Sequence, residues 1–277
     1  VKFLIGIDVE TGRKYWIDFS DQSNLLLGGC PGSGKTRFVR LLAYQALMSG
    51  HKVIIGDFKG LDFQKFEPKC KVIYEHNELI KTLHYLVNGE IEKRKKIFRS
   101  VGAENITEYN MLTGNDMKRI FLIIDELGEA MEVVNVNIDK KERKAMEETL
   151  DDYTKSLARL GRAFGINCVF GTQRPDVGIL QGQTRSQFIH RLCFLADDMT
   201  SRIVLDNSIA KEIPPKIKGR CFVKDSIQYI PVQVYNFEVK LLKNLPDLVN
   251  KKHENEEVKQ KNVILKKNIK VVDYDLV

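Results

Sequence analysis

The sequence predicts an α/β fold: a mostly parallel, twisted sheet with helices on both faces. Two observations predict it. Short apolar, branched runs at 24–27, 52–57, 120–124 and 166–171 alternate with long helical patterns at 77–99 and 140–164. Strands that alternate with helices in this way bury both faces of one sheet. Between the first run and the first helix stands Gly29-Cys30-Pro31-Gly32-Ser33-Gly34-Lys35-Thr36. It reads G-x-x-x-x-G-K-[ST], the loop that joins a strand to a helix around phosphate.

Taken in order, residues 2–9 and 13–19 alternate around Glu10-Thr11-Gly12-Arg13 and read as a β-hairpin. Asn24-Leu25-Leu26-Leu27 is a short buried strand, and Phe38, Leu41, Leu42, Gln45, Leu47 and Met48 outline a helix that ends at Gly50. Residues 52–57 give a second buried strand, with Asp57 where open α/β sheets face a ligand. Residues 71–74 give a third, short one.

The helix over 77–99 places Ile80, Leu83, Val87, Ile91 and Phe98 on or near one face. Its run Lys93-Arg94-Lys95-Lys96 suits a solvated face or a nucleic-acid contact. A short helix over 104–112 and a turn at 114–116 follow. Residues 120–124 are the most apolar run of the chain and read as a central strand. In the helix over 140–164, Met146, Leu150, Tyr153, Leu157, Leu160 and Phe164 form one buried stripe. Strands over 189–195, 219–224 and 227–235 complete the sheet, and from about 240 the chain turns polar and Lys-rich.

The 277 residues carry 44 Lys+Arg against 37 Asp+Glu, a net charge of +7 that suits a polyanion partner. The cysteines at 30, 70, 168, 193 and 221 form no C-x-x-C pair, and the five histidines show no ligand spacing. Both facts speak against a disulfide frame or a zinc site and for reduced thiols in the cytoplasm. No stretch approaches the ~20 apolar residues of a bilayer span. The chain begins with Val1 rather than Met. We expect a piece of a longer protein, with room elsewhere for a membrane anchor or a further domain.

In the loop, glycines let backbone N–H groups turn inward around a polyphosphate. Lys35 is the cation for the outer phosphates, and the Thr36 hydroxyl is placed for Mg²⁺. The candidate nucleotide contacts are Gly29, Pro31, Gly32, Ser33, Gly34, Lys35, Thr36 and Arg37. Asp125 and Glu126 end the central strand about 90 residues downstream. A buried carboxylate pair needs a metal or a cation, so Asp125 is the candidate Mg²⁺ ligand and Glu126 the group that polarises water. A plain helix cap is the simpler alternative for the pair. Gln173, after the strand over 166–171, suits a γ-phosphate and water contact or a polar loop position. Arg162 lies roughly 200° from Leu160 on a helix turning ~100° per residue. Ordinary surface and an arginine finger both fit that spacing.

These residues resemble the FtsK/SpoIIIE motor domain. The similarity rests on the loop at 29–36, Ile123-Ile124-Asp125-Glu126-Leu127, Leu160-Gly161-Arg162-Ala163-Phe164-Gly165-Ile166-Asn167 and Gly171-Thr172-Gln173-Arg174-Pro175. It runs from about residue 5 to about residue 235. The resemblance implies a RecA-like core, a hexameric ring with ATP and Mg²⁺ between subunits, and double-stranded DNA in the pore. It implies a trans-acting finger at Arg162, a γ-phosphate sensor at Gln173 and a DNA-facing loop at Arg185. On this reading 1–22 is an N-terminal hairpin, 23–237 the motor and 238–277 a tail or linker.

The chain departs from chromosome-segregating members at Cys30-Pro31, at Asp197-Asp198 and at Pro214-Pro215-Lys216-Ile217-Lys218, and no winged-helix module follows residue 237. It looks more like the transfer proteins of conjugative elements. Type VII secretion ATPases share the fold and give the alternative, protein export. Those usually carry several motors in tandem and fewer basic pore residues.

Overall fold

A computed structural model describes residues 1–20, 24–133, 138–173, 182–225 and 228–247. The chain opens with β1 (Lys2–Asp8) and β2 (Lys14–Asp18), then β3 (Leu25–Gly28) and α1 (Lys35–Met48). Next come β4 (Lys52–Gly56), β5 (Lys71–Ile73), α2 (His76–His84), α3 (Glu92–Val101), α4 (Ile106–Thr113) and β6 (Ile120–Ile124). Then α5 (Leu127–Met131), α6 (Lys140–Leu160), β7 (Ile166–Thr172), α7 (Gly182–Ser186), β8 (His190–Phe194) and α8 (Asp198–Leu205) follow, before β9 (Arg220–Asp225) and β10 (Gln228–Val234).

The ten strands of the described residues share one sheet, in the order β2-β1-β10-β9-β8-β3-β7-β6-β4-β5. The half from β8 to β5 is parallel, and the half from β9 to β2 is antiparallel. The N-terminal hairpin therefore continues the main sheet, through β1 on β10.

The strict alternation of a strand explains the double core. Leu25, Leu27, Phe121 and Ile123 face the layer with α1, where Phe121 packs on the rings of Phe3 and Phe19. Leu26, Ile120, Leu122 and Ile124 face the layer with α2, α6 and α8. All five residues of β6 are buried, as a central strand between two helical layers requires.

Three elements differ from expectation for identifiable reasons. The long helix is continuous from α2 to α3 but carries a π-type segment over Tyr85–Ile91. Its buried apolar residues are Leu79, Leu83, Leu86, Ile91 and Phe98, with Ile80 and Val87 only partly covered. The stripe thus takes one five-residue step, from Leu86 to Ile91, the step of a π-turn. Within the basic run Arg94 is buried, not solvated. It donates to Glu90 Oε1 at 2.7 Å, the Phe164 carbonyl at 2.7 Å and the Lys118 carbonyl at 3.0 Å.

The helix expected over 140–164 stops at Leu160. Residues 161–165 form a turn instead, with Gly165 at φ 68°. Arg162 and Phe164 therefore lie beyond the helix, and Leu160 is exposed rather than part of a buried stripe. Asp57 faces its own loop instead of a ligand: its carboxylate accepts from the backbone of Gly60, Asp62 and Phe63 at 2.9–3.1 Å.

Candidate functional site

The parallel strands β3, β7 and β6 are neighbours, and their C-terminal ends carry the phosphate loop, Gln173 and the Asp125-Glu126 pair. Sequence-distant groups meet because parallel strands all present their carboxyl ends at one edge. The loop leads into α1, whose cap Gly34 offers no side chain to the first-turn N–H groups. Those donors are left to an anion, at the positive end of the helix dipole.

Lys35 is 3% exposed. Its Nζ donates to the Asp125 carbonyl at 2.5 Å and lies 3.5 Å from Asp125 Oδ1 and 3.3 Å from Glu126 Oε2. Thr36 Oγ1 donates to Asp125 Oδ2 at 2.7 Å. Glu126 accepts from the Gln173 backbone N–H at 3.0 and 3.1 Å and from Thr172 Oγ1 at 3.5 Å. So the main chain of Gln173 fixes the candidate base, while the residue also lines the cavity over the loop. Gly171 permits this crowding: a Cβ there would stand 2.2 Å from the Asp125 carbonyl oxygen.

The cavity measures about 300 Å³ and is lined by residues 30–32 and 34–36 of the loop, Arg37, Gln173 and the segments 218–219 and 234–236, while the predicted contacts Gly29 and Ser33 lie behind that wall. Its size and its uncapped helix suit a nucleotide polyphosphate. Two buried oxygens, Ser33 Oγ and Asp125 Oδ1, have no hydrogen-bond donor among the described residues. A carboxylate oxygen that takes no hydrogen bond and faces only the Lys35 ammonium, beside a threonine hydroxyl, is a donor set that Mg²⁺ takes when it keeps several waters. Thr36 and Asp125 therefore fit that ion.

The other predicted positions lie elsewhere. Arg162 is exposed in the turn before β7, whereas Gln173 follows its far end. Six strand steps at ~3.3 Å put the two ends roughly 20 Å apart. Arg185, on α7, pairs with Asp206 at 3.2 Å and donates to the Ile203 carbonyl at 3.3 Å. Arg191 and Lys224 bind the same Asp206 carboxylate. Burial alone would raise the Asp206 pKa, but the Lys224 hydrogen bond and the three cations outweigh it and hold it low. Asp197 caps α8 by accepting from Thr200 N at 2.7 Å, and Asp198 pairs with Arg202 and Lys211. The acidic pair there thus has a local structural reason. Arg174 and Pro175 lie outside the described residues.

Sequence reasoning missed Lys218, Gly219, Tyr235 and Asn236 as cavity residues. Gly219 N donates to the Ser33 carbonyl at 2.9 Å, and Arg37 donates to Asn236 Oδ1 at 3.2 Å. The available signal was Gly219 itself, a glycine directly before a strand.

The model of the FtsK/SpoIIIE family matches residues 1–177. Among curated relatives, the DNA translocase FtsK of Chlamydia trachomatis serovar D is 27% identical over 80% of this chain and 29% of its own length. The DNA translocase SftA of Bacillus subtilis is 26% identical over 76% of this chain and 22% of its own. The chain thus spans under a third of these relatives. Among solved structures, the pCW3 conjugation coupling protein TcpA, a monomer with ATPγS, superposes with a TM-score of 0.77 at 36% identity. That match covers 86% of this chain and 67% of TcpA. The type VII secretion ATPase EccC of Thermomonospora curvata gives 0.70 at 22% identity over 85% of this chain and 28% of its own, a likeness of fold alone. The sheet, the loop and the acidic strand end form a RecA-like P-loop arrangement, and with the family model matched over well more than half its length, the chain belongs to the FtsK/SpoIIIE family.

Proposed function

We propose that this chain is the ATP-hydrolysing motor of a double-stranded DNA translocase that works as a hexameric ring. The observation that carries the reading is Lys35, buried between Asp125 and Glu126 with Thr36 on the same carboxylate. ATP would lie along the loop, with α1 and Lys35 binding its phosphates. Mg²⁺, held by Thr36 and Asp125, would supply charge neutralisation at the transferred phosphate. Glu126, already fixed by the Gln173 N–H, would take the proton of the attacking water.

Arg162 stands too far along β7 to reach its own site, so its proposed role is in a neighbour's. There it would neutralise charge as the γ-phosphate leaves. A ring shares sites between subunits in this way and gates hydrolysis by its own closure. The net +7 suits a DNA backbone. The TcpA likeness favours conjugative transfer as the setting, in the cytoplasm, with any membrane attachment through a segment elsewhere. No helix among the described residues is long and apolar enough to cross a membrane.

The test is the ATPase rate of the chain with and without duplex DNA at low salt. Stimulation that fades steeply as salt rises is expected. A rate indifferent to DNA but raised by a secreted peptide would replace this reading with protein export.

A further inference from the structure

We propose that Lys218 is a second phosphate-binding cation of the nucleotide site, acting from the exposed wall of the cavity where Lys35 acts from the buried one. This rests on the nucleotide reading above. Lys218 lines the same cavity as Gly32, Gly34, Lys35 and Thr36. Its Nζ lies 3.7 Å from where a Cβ on Gly32 would stand.

Its backbone is fixed against the loop. The Lys218 carbonyl accepts from Gln233 Nε2 at 2.8 Å, and the next N–H, of Gly219, donates to the Ser33 carbonyl at 2.9 Å. Gly219 sits so close to Gly34 that a Cβ on Gly34 would come within 2.9 Å of its nitrogen. Only the four-carbon stem of Lys218 is left to move, and its ammonium has no carboxylate partner among the described residues. A compact charge on a flexible stem, anchored at its root, can follow a phosphate as it settles.

Charge balance gives the reason for a second cation. Lys35 is already set against two carboxylates, 3.5 and 3.3 Å away. A triphosphate brings more negative charge into that neighbourhood, and like charges at such distances repel strongly where water is excluded. Arg37, the other cation of the cavity, is turned to Asn236. Lys218 is the third cation lining the cavity, and its ammonium lies 3.7 Å from the Cβ position of Gly32.

The test measures ATP binding by calorimetry for the whole chain and for Lys218→Ala and Lys218→Arg, with inorganic tripolyphosphate as a competitor that has no base. Lys218→Ala should weaken ATP about tenfold, the worth of one charge-assisted contact. It should weaken tripolyphosphate by the same factor and flatten the dependence of affinity on salt. Lys218→Arg should stay near wild type, and the ligand-free melting temperature of both should not move. Unchanged ATP affinity in Lys218→Ala overturns the proposal, and so does a loss for ATP without one for tripolyphosphate. A wild-type chain that binds neither ligand overturns the nucleotide reading itself, so the two failures are distinguishable.

Discussion

Gly171 measures how tightly the site is packed. Its missing side chain lets β7 pass the Asp125 carbonyl and leaves 3.1 Å between the Cβ position and Lys35 Nζ. Gly171→Ala must separate β7 from β6 at the place where Lys35 binds. We expect a loss of about 1–3 kcal/mol in stability and a larger proportional loss of ATP affinity, read by urea unfolding and nucleotide titration. Equal, small losses in both would show that the close approach is not what seats Lys35. Arg162→Ala separates differently. ATP binding should stay near wild type while turnover falls about a thousandfold or more, the usual worth of such a finger. Mixing it with Glu126→Gln protein should restore part of the activity. Mixtures as inactive as their parents would rule out a site shared between subunits.

At the level of elements, the turn over 161–165 closes on itself through Gly165 N–H to the Arg162 carbonyl and Ile166 N–H to the Gly161 carbonyl, and α3 and α4 hold it in place. Arg94 reaches from α3 to the Phe164 carbonyl, Phe98 stacks on Phe164 at 5.8 Å, and Ile106 N donates to the Ala163 carbonyl at 2.9 Å. Burial would raise the Glu90 pKa, but the hydrogen bond and charge of Arg94 outweigh it and keep the carboxylate ionised. Arg94→Met would leave that charge buried without its partner, and the expected cost is about 3–5 kcal/mol. Adding Glu90→Gln should recover part of it in a chemical-denaturation series. No recovery would place the stabilisation in the two carbonyl bonds instead.

The same elements show what could be read in advance. β6 was legible because every position is apolar, so no register ambiguity arises. The phosphate loop was legible because its glycines and Lys35 stand in eight consecutive residues. Arg94 was not, because four cations in a row look solvated; Glu90, one helical turn earlier, was the only local sign of a buried pair. The turn at Arg162 was hidden because Leu157, Leu160 and Phe164 keep a helical period past the break. The flanking Gly161 and Gly165 were the punctuation that outweighed it. Lys218 had only the neighbouring Gly219 as a signal: it reaches the loop because the segment before β9 is carried over the sheet edge, where Gly219 N–H bonds the Ser33 carbonyl.

For the molecule as a whole, acid stability should be set in part by one histidine. Burial first, then the charges of Lys118 and Arg119, push His51 down to about 4 from its ordinary 6.5. The unfolded chain takes up this proton near 6.5 and the folded one only near 4. Stability is therefore full above 6.5 and is lost as pH falls between those values, by up to about 3 kcal/mol. Urea midpoints from pH 7 to 4 should show this slope, and His51→Gln should flatten it. A slope unchanged by the substitution would assign the titration to other groups.

One strand, β7, begins beside Arg162 and finishes beside Gln173. On the proposed assignment no molecule can complete itself, and in the proposed ring each gives its finger to one neighbour and takes one from the other. Association in such a ring runs nose to tail, so an unclosed row always wastes one donor and one acceptor. Turnover per molecule should then climb more steeply than protein concentration until the last gap is filled.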